Sequence, residues 1–149
     1  TLHTNSAGET LTRMLNMGVP AFNIATTVNL IIAQRLARRL CSNCKKPADI
    51  PSETLKKEGF TDEMLNVSKI YQPVGCSQCN KGYKGRVGVY EVVQITPAVS
   101  KIIMEEGNAL QLNDQFQVEG FNNLRQSGLW KVVQGTTSLE EINRVTTDN

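Results

Sequence analysis

Four cysteines carry the clearest chemistry in this 149-residue sequence. They stand in two pairs of identical spacing, Cys41-Ser42-Asn43-Cys44 and Cys76-Ser77-Gln78-Cys79, with the 31 residues from Lys45 to Gly75 between the pairs. Two thiolates three positions apart on a tight turn can face one ion, and two such knuckles complete the tetrahedral four-sulfur shell that zinc prefers. With all four positions filled by protein, none stays open for water or substrate, so the predicted Zn²⁺ is structural. The competing readings are a pair of disulfides, or one redox-active Cys-x-x-Cys with two unrelated cysteines. No secretory signal is in view and the chain is too large to depend on staples, which weighs against disulfides. The second knuckle continues as Asn80-Lys81-Gly82-Tyr83-Lys84-Gly85-Arg86. Its glycines permit a tight turn, and its cations offset thiolate charge.

The knuckles need elements to hold them. Between them, Pro47, Pro51, Gly59 and Pro73 delimit a predicted helix from about Pro51 to Glu58, a second over Asp62 to Val67, and a return strand near Ile70 to Val74. Upstream, Thr1 to Thr4 reads as a strand end. Ser6 with Glu9 makes a capping box for a helix carrying Leu11, Met14 and Leu15, which Gly18 stops. Pro20 opens a second helix with Phe22, Ile24, Ala25 and Val28 as its apolar face. From Leu30 to Leu40 both alternation and helical spacing fit, and the β-branched Ile31 and Ile32 favour a strand.

Downstream of the second knuckle, alternation over Arg86 to Ile95 predicts a strand with Val87, Val89 and Glu91 on one face and Gly88, Tyr90 and Val92 on the other. The remainder reads as helical. Thr96 and Pro97 start a helix that Gly107 ends. A segment over Leu110 to Gln126, weakened at Gly120, is expected to end at Gly128, with a short helix at Trp130 to Val133 after it. Ser138 with Glu141 forms a second capping box, opening a last helix with Leu139, Ile142 and Val145.

Composition sets bounds on function. Hydrophobic residues make up 40% and charged residues 20%, which excludes collagen-like and disordered classes and predicts a real core. Apolar runs are far shorter than the roughly 20 residues that cross a bilayer. The sequence begins at Thr1 with no basic and apolar leader pattern, and is expected to be a piece of a longer protein. The formal charge of +2 conceals asymmetry: residues 1–48 hold six bases against Glu9 alone, residues 49–90 six bases against five acids, and residues 91–149 four bases against eight acids.

Several blocks read together give a family resemblance. They are Thr1-Leu2-His3-Thr4-Asn5, Asn16-Met17-Gly18-Val19-Pro20-Ala21-Phe22-Asn23-Ile24-Ala25, Ala33-Gln34-Arg35-Leu36-Ala37-Arg38-Arg39-Leu40-Cys41, Gly82-Tyr83-Lys84-Gly85-Arg86-Val87-Gly88-Val89-Tyr90-Glu91 and Thr137-Ser138-Leu139-Glu140-Glu141. In these the chain resembles the C-terminal part of the type IV pilus assembly ATPases, within the type II/IV secretion ATPase family. The resemblance implies an α/β fold, the C-terminal part of a RecA-like P-loop ATPase domain, with a four-cysteine zinc-binding insertion and a helical C-terminal end. It divides the chain into residues 1–40 of the ATPase core, 41–85 of the insertion, and 86–149 as return strand and helical subdomain. It further implies a homohexameric motor that uses ATP and Mg²⁺ on the cytoplasmic face of a bacterial inner membrane. Expected partners are a membrane platform protein and regulatory proteins of the pilus machine, with no nucleic acid.

The resemblance also assigns residues. His3 would sit near the terminal phosphate, orienting it by hydrogen bonding. Arg35 would reach across a subunit boundary into a neighbouring phosphate site, while the bare Arg35, Arg38 and Arg39 cluster otherwise reads as a solvated face. Arg86, read from its own position between two glycines on the strand leaving the metal site, either pairs with the return strand or reaches nucleotide. One departure matters: the sequence contains no G-x-x-x-x-G-K-[ST] phosphate loop, so the chain alone is expected to be inactive. Two other classes compete with the motor reading. One is a zinc ribbon that binds nucleic acid through the basic cluster, and it is opposed by few stacking aromatics and an acidic last third. The other is an adaptor module. Within the family, the alternative branch is a type II secretion ATPase.

Overall fold

The structure, a computed structural model, describes residues 6–146. Its helices and strands are mixed along the chain, in keeping with the expected α/β class, and they gather into two compact units. Among the described residues, the first comprises 6–34 and 90–124, the second 35–89 and 125–146. Strands β1 (Leu30–Leu40) and β4 (Tyr83–Gln94) pair as a two-stranded ribbon, and each begins in one unit and ends in the other. The Ile95 N–H donates to the Asn29 carbonyl at one end of the ribbon, and the Cys41 N–H donates to the Gly82 carbonyl at the other, so the strands run antiparallel.

In the first unit α1 (Ala7–Asn16), α2 (Ala21–Thr27), α5 (Pro97–Met104) and α6 (Ala109–Val118) close over a core of Leu11, Ile24, Ile31, Val93, Val99, Ile103, Leu112 and Phe116. Ser6 caps α1 by accepting from the Glu9 N–H at 3.1 Å, and Thr96 caps α5 by accepting from Val99. Gly18, with φ of +92°, takes the left-handed turn after α1. In α2 only Ile24 is buried, and Phe22 stands 62% exposed. A helix of seven residues has one inward stripe, and Phe22 lies two residues from Ile24, off that stripe.

The second unit holds the ends of the ribbon, the short antiparallel pair β2 (Lys46–Pro47) and β3 (Tyr71–Gln72), and helices α3 (Ser52–Glu58), α4 (Asp62–Val67), α7 (Leu124–Val133) and α8 (Leu139–Thr146). Leu55, Phe60, Met64, Leu129, Val132, Val133 and Ile142 are buried. The expected stop at Gly128 is not there: α7 runs through it, and a Cβ at that position would lie 2.9 Å from Ile142 Cγ2. The glycine serves the close approach of a neighbouring side chain. Tertiary contact here outweighs the cost of glycine in a helix, about 1 kcal/mol against alanine. Among the described residues no helix is long and apolar enough to cross a membrane.

Candidate metal centre

The two knuckles come together in the second unit. Cys41 directly follows β1, and its N–H bond to the Gly82 carbonyl ties the first knuckle to the turn that follows the second. That turn requires glycine, because Gly82 has φ of +96° and a Cβ there would lie 2.5 Å from Pro73 Cβ. Lys81, at φ of +54°, shares the left-handed conformation. Ligating atoms of all four cysteines lie within 4.8 Å of one another. The Cys41–Cys76 and Cys44–Cys79 sulfurs are 3.8 and 3.7 Å apart, and those of Cys76 and Cys79 are 3.5 Å apart. A tetrahedron with metal–sulfur bonds of about 2.3 Å has edges of about 3.8 Å, whereas a disulfide needs about 2.05 Å. The four thiols are free and not disulfide-bonded, and their spacing fits a tetrahedral ion.

Donors surround the sulfurs. The Gly75 N–H reaches Cys44 Sγ at 3.4 Å, the Cys76 N–H reaches Cys79 Sγ at 3.3 Å, and Asn43 Nδ2 reaches Cys76 Sγ at 3.5 Å. The Asn43 amide, helped by the Gln78 N–H, pulls the Cys76 thiol down to about 6. Cys44 goes the other way. Although the Gly75 N–H draws it down, desolvation and the three neighbouring sulfurs push it up to about 11. Thiols this close resist ionising together unless a cation sits among them, which is the chemistry of a metal site. Lys45 leaves the first knuckle to donate to the Gly135 carbonyl at 2.9 Å and lies 4.5 Å from the Tyr71 ring centroid. Its charge is held between that carbonyl and the ring.

The other sequence-predicted site residues fare differently. His3 lies outside the described residues. Arg35 sits half-buried on β1, and Arg86 is exposed on β4, its side chain in no hydrogen bond or ion pair among the described residues. The structure does not bring Arg35 or Arg86 to the cysteines. Arg38 departs from the solvated-face reading. Its backbone N–H and guanidinium both bond the Glu141 carboxylate at 2.9 Å, and the guanidinium lies 4.3 Å from the Tyr83 ring centroid. Arg144 holds the same carboxylate from within α8. Tyr83 in turn shares a 2.7 Å hydrogen bond with Ser138, whose hydroxyl caps α8 at the Glu141 N–H. Sequence reasoning treated Glu141 as a capping acid only. The sole local signal was an arginine three residues later.

The chain belongs to the family described as type II/IV secretion system protein, whose family model matches residues 1–144. It is 66% identical over 99% of its length to the type IV pilus assembly ATPase PilB of Pseudomonas aeruginosa, and 63% identical over 99% to the protein of the same name from Acinetobacter baylyi. The type II secretion system protein E of Aeromonas hydrophila is 37% identical over 100% of the chain. The chain spans 26% of the length of either PilB relative.

Proposed function

We propose that this chain is the C-terminal portion of a hexameric RecA-like ATPase that drives type IV pilus assembly by pilin polymerisation. The observation that carries the reading is the difference in identity, 66% to a pilus assembly ATPase against 37% to a type II secretion protein. The secretion branch is the second reading, favoured by the same family match over residues 1–144. In the whole protein, residues 1–40 complete the ATPase core, 41–85 form the zinc-binding insertion, and 86–149 form the return strand and helical subdomain. The motor works at the cytoplasmic face of the inner membrane against a platform protein.

The cysteines fit zinc by sulfur spacing and by donor set. Cys41, Cys44, Cys76 and Cys79 would hold the ion, which supplies cross-linking and no catalysis. His3 contacts the terminal phosphate, Arg35 reaches a neighbouring subunit, and Arg86 contacts nucleotide. Lacking a phosphate loop and its lysine, this chain by itself hydrolyses no ATP.

The test uses the full-length protein. His3→Ala should lower turnover while leaving nucleotide affinity nearly unchanged, because a γ-phosphate contact matters most as charge redistributes in the transition state. Full turnover in that variant would remove His3 from the mechanism. Wild-type hexamers mixed with Arg35→Ala subunits should lose activity per wild-type site, and purely additive activity would return Arg35 to a structural role. Elemental analysis should find about one zinc per chain, lost together with the fold of the insertion in Cys76→Ser.

A further inference from the structure

Arg39, the third arginine of the basic cluster, has no acid partner among the described residues. Neighbouring residues on a strand face opposite sides, so Arg38 turns to Glu141 and Arg39 turns away from it. Arg39 lines an open cavity of about 490 Å³ in the second unit, together with Leu40, Ser42, Lys45, Lys84 and Thr136. Three of these residues are cations, two carry hydroxyls, and none is a carboxylate. Arg38, Lys56, Arg125 and Arg144 each pair with an acid, whereas the side chains of Arg39 and Lys84 make no hydrogen bond or ion pair among the described residues.

The walls of the cavity are fixed. The Leu40 N–H donates to the Thr136 carbonyl at 2.9 Å and the Thr137 hydroxyl donates to the Arg38 carbonyl at 2.7 Å, which ties the loop between α7 and α8 to β1. The turn in that loop needs glycine, because Gly135 has φ of +75° and a Cβ there would lie 2.7 Å from the Tyr71 ring. Lys45 is held by the same turn, and its bond to the Gly135 carbonyl uses one of the three donors of its ammonium group. The bond from Cys41 to the Gly82 carbonyl brings the start of β4, with Lys84, to the same cavity.

Like charges gathered around one cavity repel, and an anion between them turns that cost into attraction. The donor set selects the anion. A guanidinium offers a planar fork, ammonium groups add point charge, and hydroxyls donate further hydrogen bonds, a combination that engages several oxygens of a phosphate group at once. No aromatic residue lines the cavity, so it gives a base no surface to stack on and is a poor seat for single-stranded nucleic acid. We infer that Arg39, Lys45 and Lys84, with the hydroxyls of Ser42 and Thr136, form a phosphate-binding site beside the first cysteine knuckle. Its ligand is a phosphate group, carried either by a small soluble phosphate or by the headgroup of an anionic lipid.

The experiment uses the full-length, metal-loaded protein with its nucleotide site saturated by a non-hydrolysable ATP analogue. Inorganic phosphate is titrated at constant ionic strength against chloride, and hydrogen exchange is read over residues 39–45 and 134–137. Phosphate should protect these segments saturably and chloride should not. Arg39→Gln with Lys84→Gln should weaken the apparent affinity for phosphate about tenfold or more, since two charge-assisted contacts are lost. Both side chains are exposed, so the thermal midpoint of the double variant should stay near that of wild type. Should it nevertheless fail to fold, Lys84→Gln alone should weaken affinity about threefold or more. No protection by phosphate, equal protection by chloride, or undiminished affinity in the variant would overturn the inference. Vesicles then identify the source of the phosphate. Phosphatidylglycerol vesicles that sediment the wild type but not the variant, and release it when phosphate is added, assign the site to a lipid headgroup. Sedimentation that is absent, or equal in both proteins, assigns it to a soluble phosphate.

Discussion

Glu141 in the second unit and Glu91 in the first are both nearly sealed from solvent, 1% and 3% exposed, yet their surroundings treat the charge in opposite ways. Glu141 faces Arg144 and Arg38. Burial works against its ionised form, but the hydrogen bonds of the two guanidiniums and of the Arg38 N–H outweigh it and hold the carboxyl down at about 2. Glu91 has one backbone N–H, that of Ala7 at the start of α1, and burial pushes its carboxyl up. The first arrangement is a fully partnered network that ties β1 to α8. The second keeps a costly group at the start of a helix, where stability alone gives no reason for it. A charge buried with its partners holds a fold together, and a charge buried without them marks a place where position has been favoured over stability.

The largest expected effect that sharpens this contrast is on the ion-paired side. Glu141→Leu should destabilise the second unit by about 2–3 kcal/mol, toward the lower end for breaking a buried pair because Arg38 and Arg144 are half exposed and can rehydrate. Denaturant midpoints measure it, and a loss below about 0.5 kcal/mol would show the network to be ornamental. Next, Gly8→Ala should destabilise the first unit by about 1–2 kcal/mol, the clash with Asn113 and the Ala109 carbonyl exceeding the gain in helix propensity. A stabilised variant would mean that α6 yields easily. Glu91→Gln comes third, within about 1 kcal/mol of wild type, since the acceptor survives and the desolvation cost of the charge is relieved.

The smallest effect is the most diagnostic, because its sign differs between the two residues. Glu141 titrates below its ordinary 4.5, so its contribution is present above that pH and is lost as pH falls toward about 2. Glu91 titrates above its ordinary 4.5, so between that value and its raised folded value the folded state binds more protons, and stability rises as pH falls. Removing each carboxylate in turn should subtract slopes of opposite sign from a stability profile. Slopes of the same sign would erase the distinction.

How much of this was legible in the sequence depended on chain separation. The cysteine knuckles, α3, α4 and the caps at Ser6, Thr96 and Ser138 are local patterns, and each falls where spacing placed it. Gly128 was misread because its reason is Ile142, on the following helix. Phe22 was misread because a seven-residue helix offers too few turns to define its inner stripe. The partner of Glu141 lies 103 residues away on β1, and no periodicity encodes such a pairing. Glu91 did leave a trace, since strand alternation set it on the face of Val87 and Val89. A carboxylate in an apolar register was the available signal, and its weight became apparent only with Ala7 beside it.

The sulfur cluster has a consequence for the unfolded chain. A metal joining Cys41 and Cys44 to Cys76 and Cys79 would close a ring around the 31 residues from Lys45 to Gly75, including all of α3 and α4. Such a ring removes disordered conformations worth about 4 kcal/mol if it behaves as a covalent cross-link of the same length. The two short helices, with few buried side chains, Leu55 and Met64, and Phe60 between them, could then remain folded more readily, because part of the entropy that opposes them has been removed before they form.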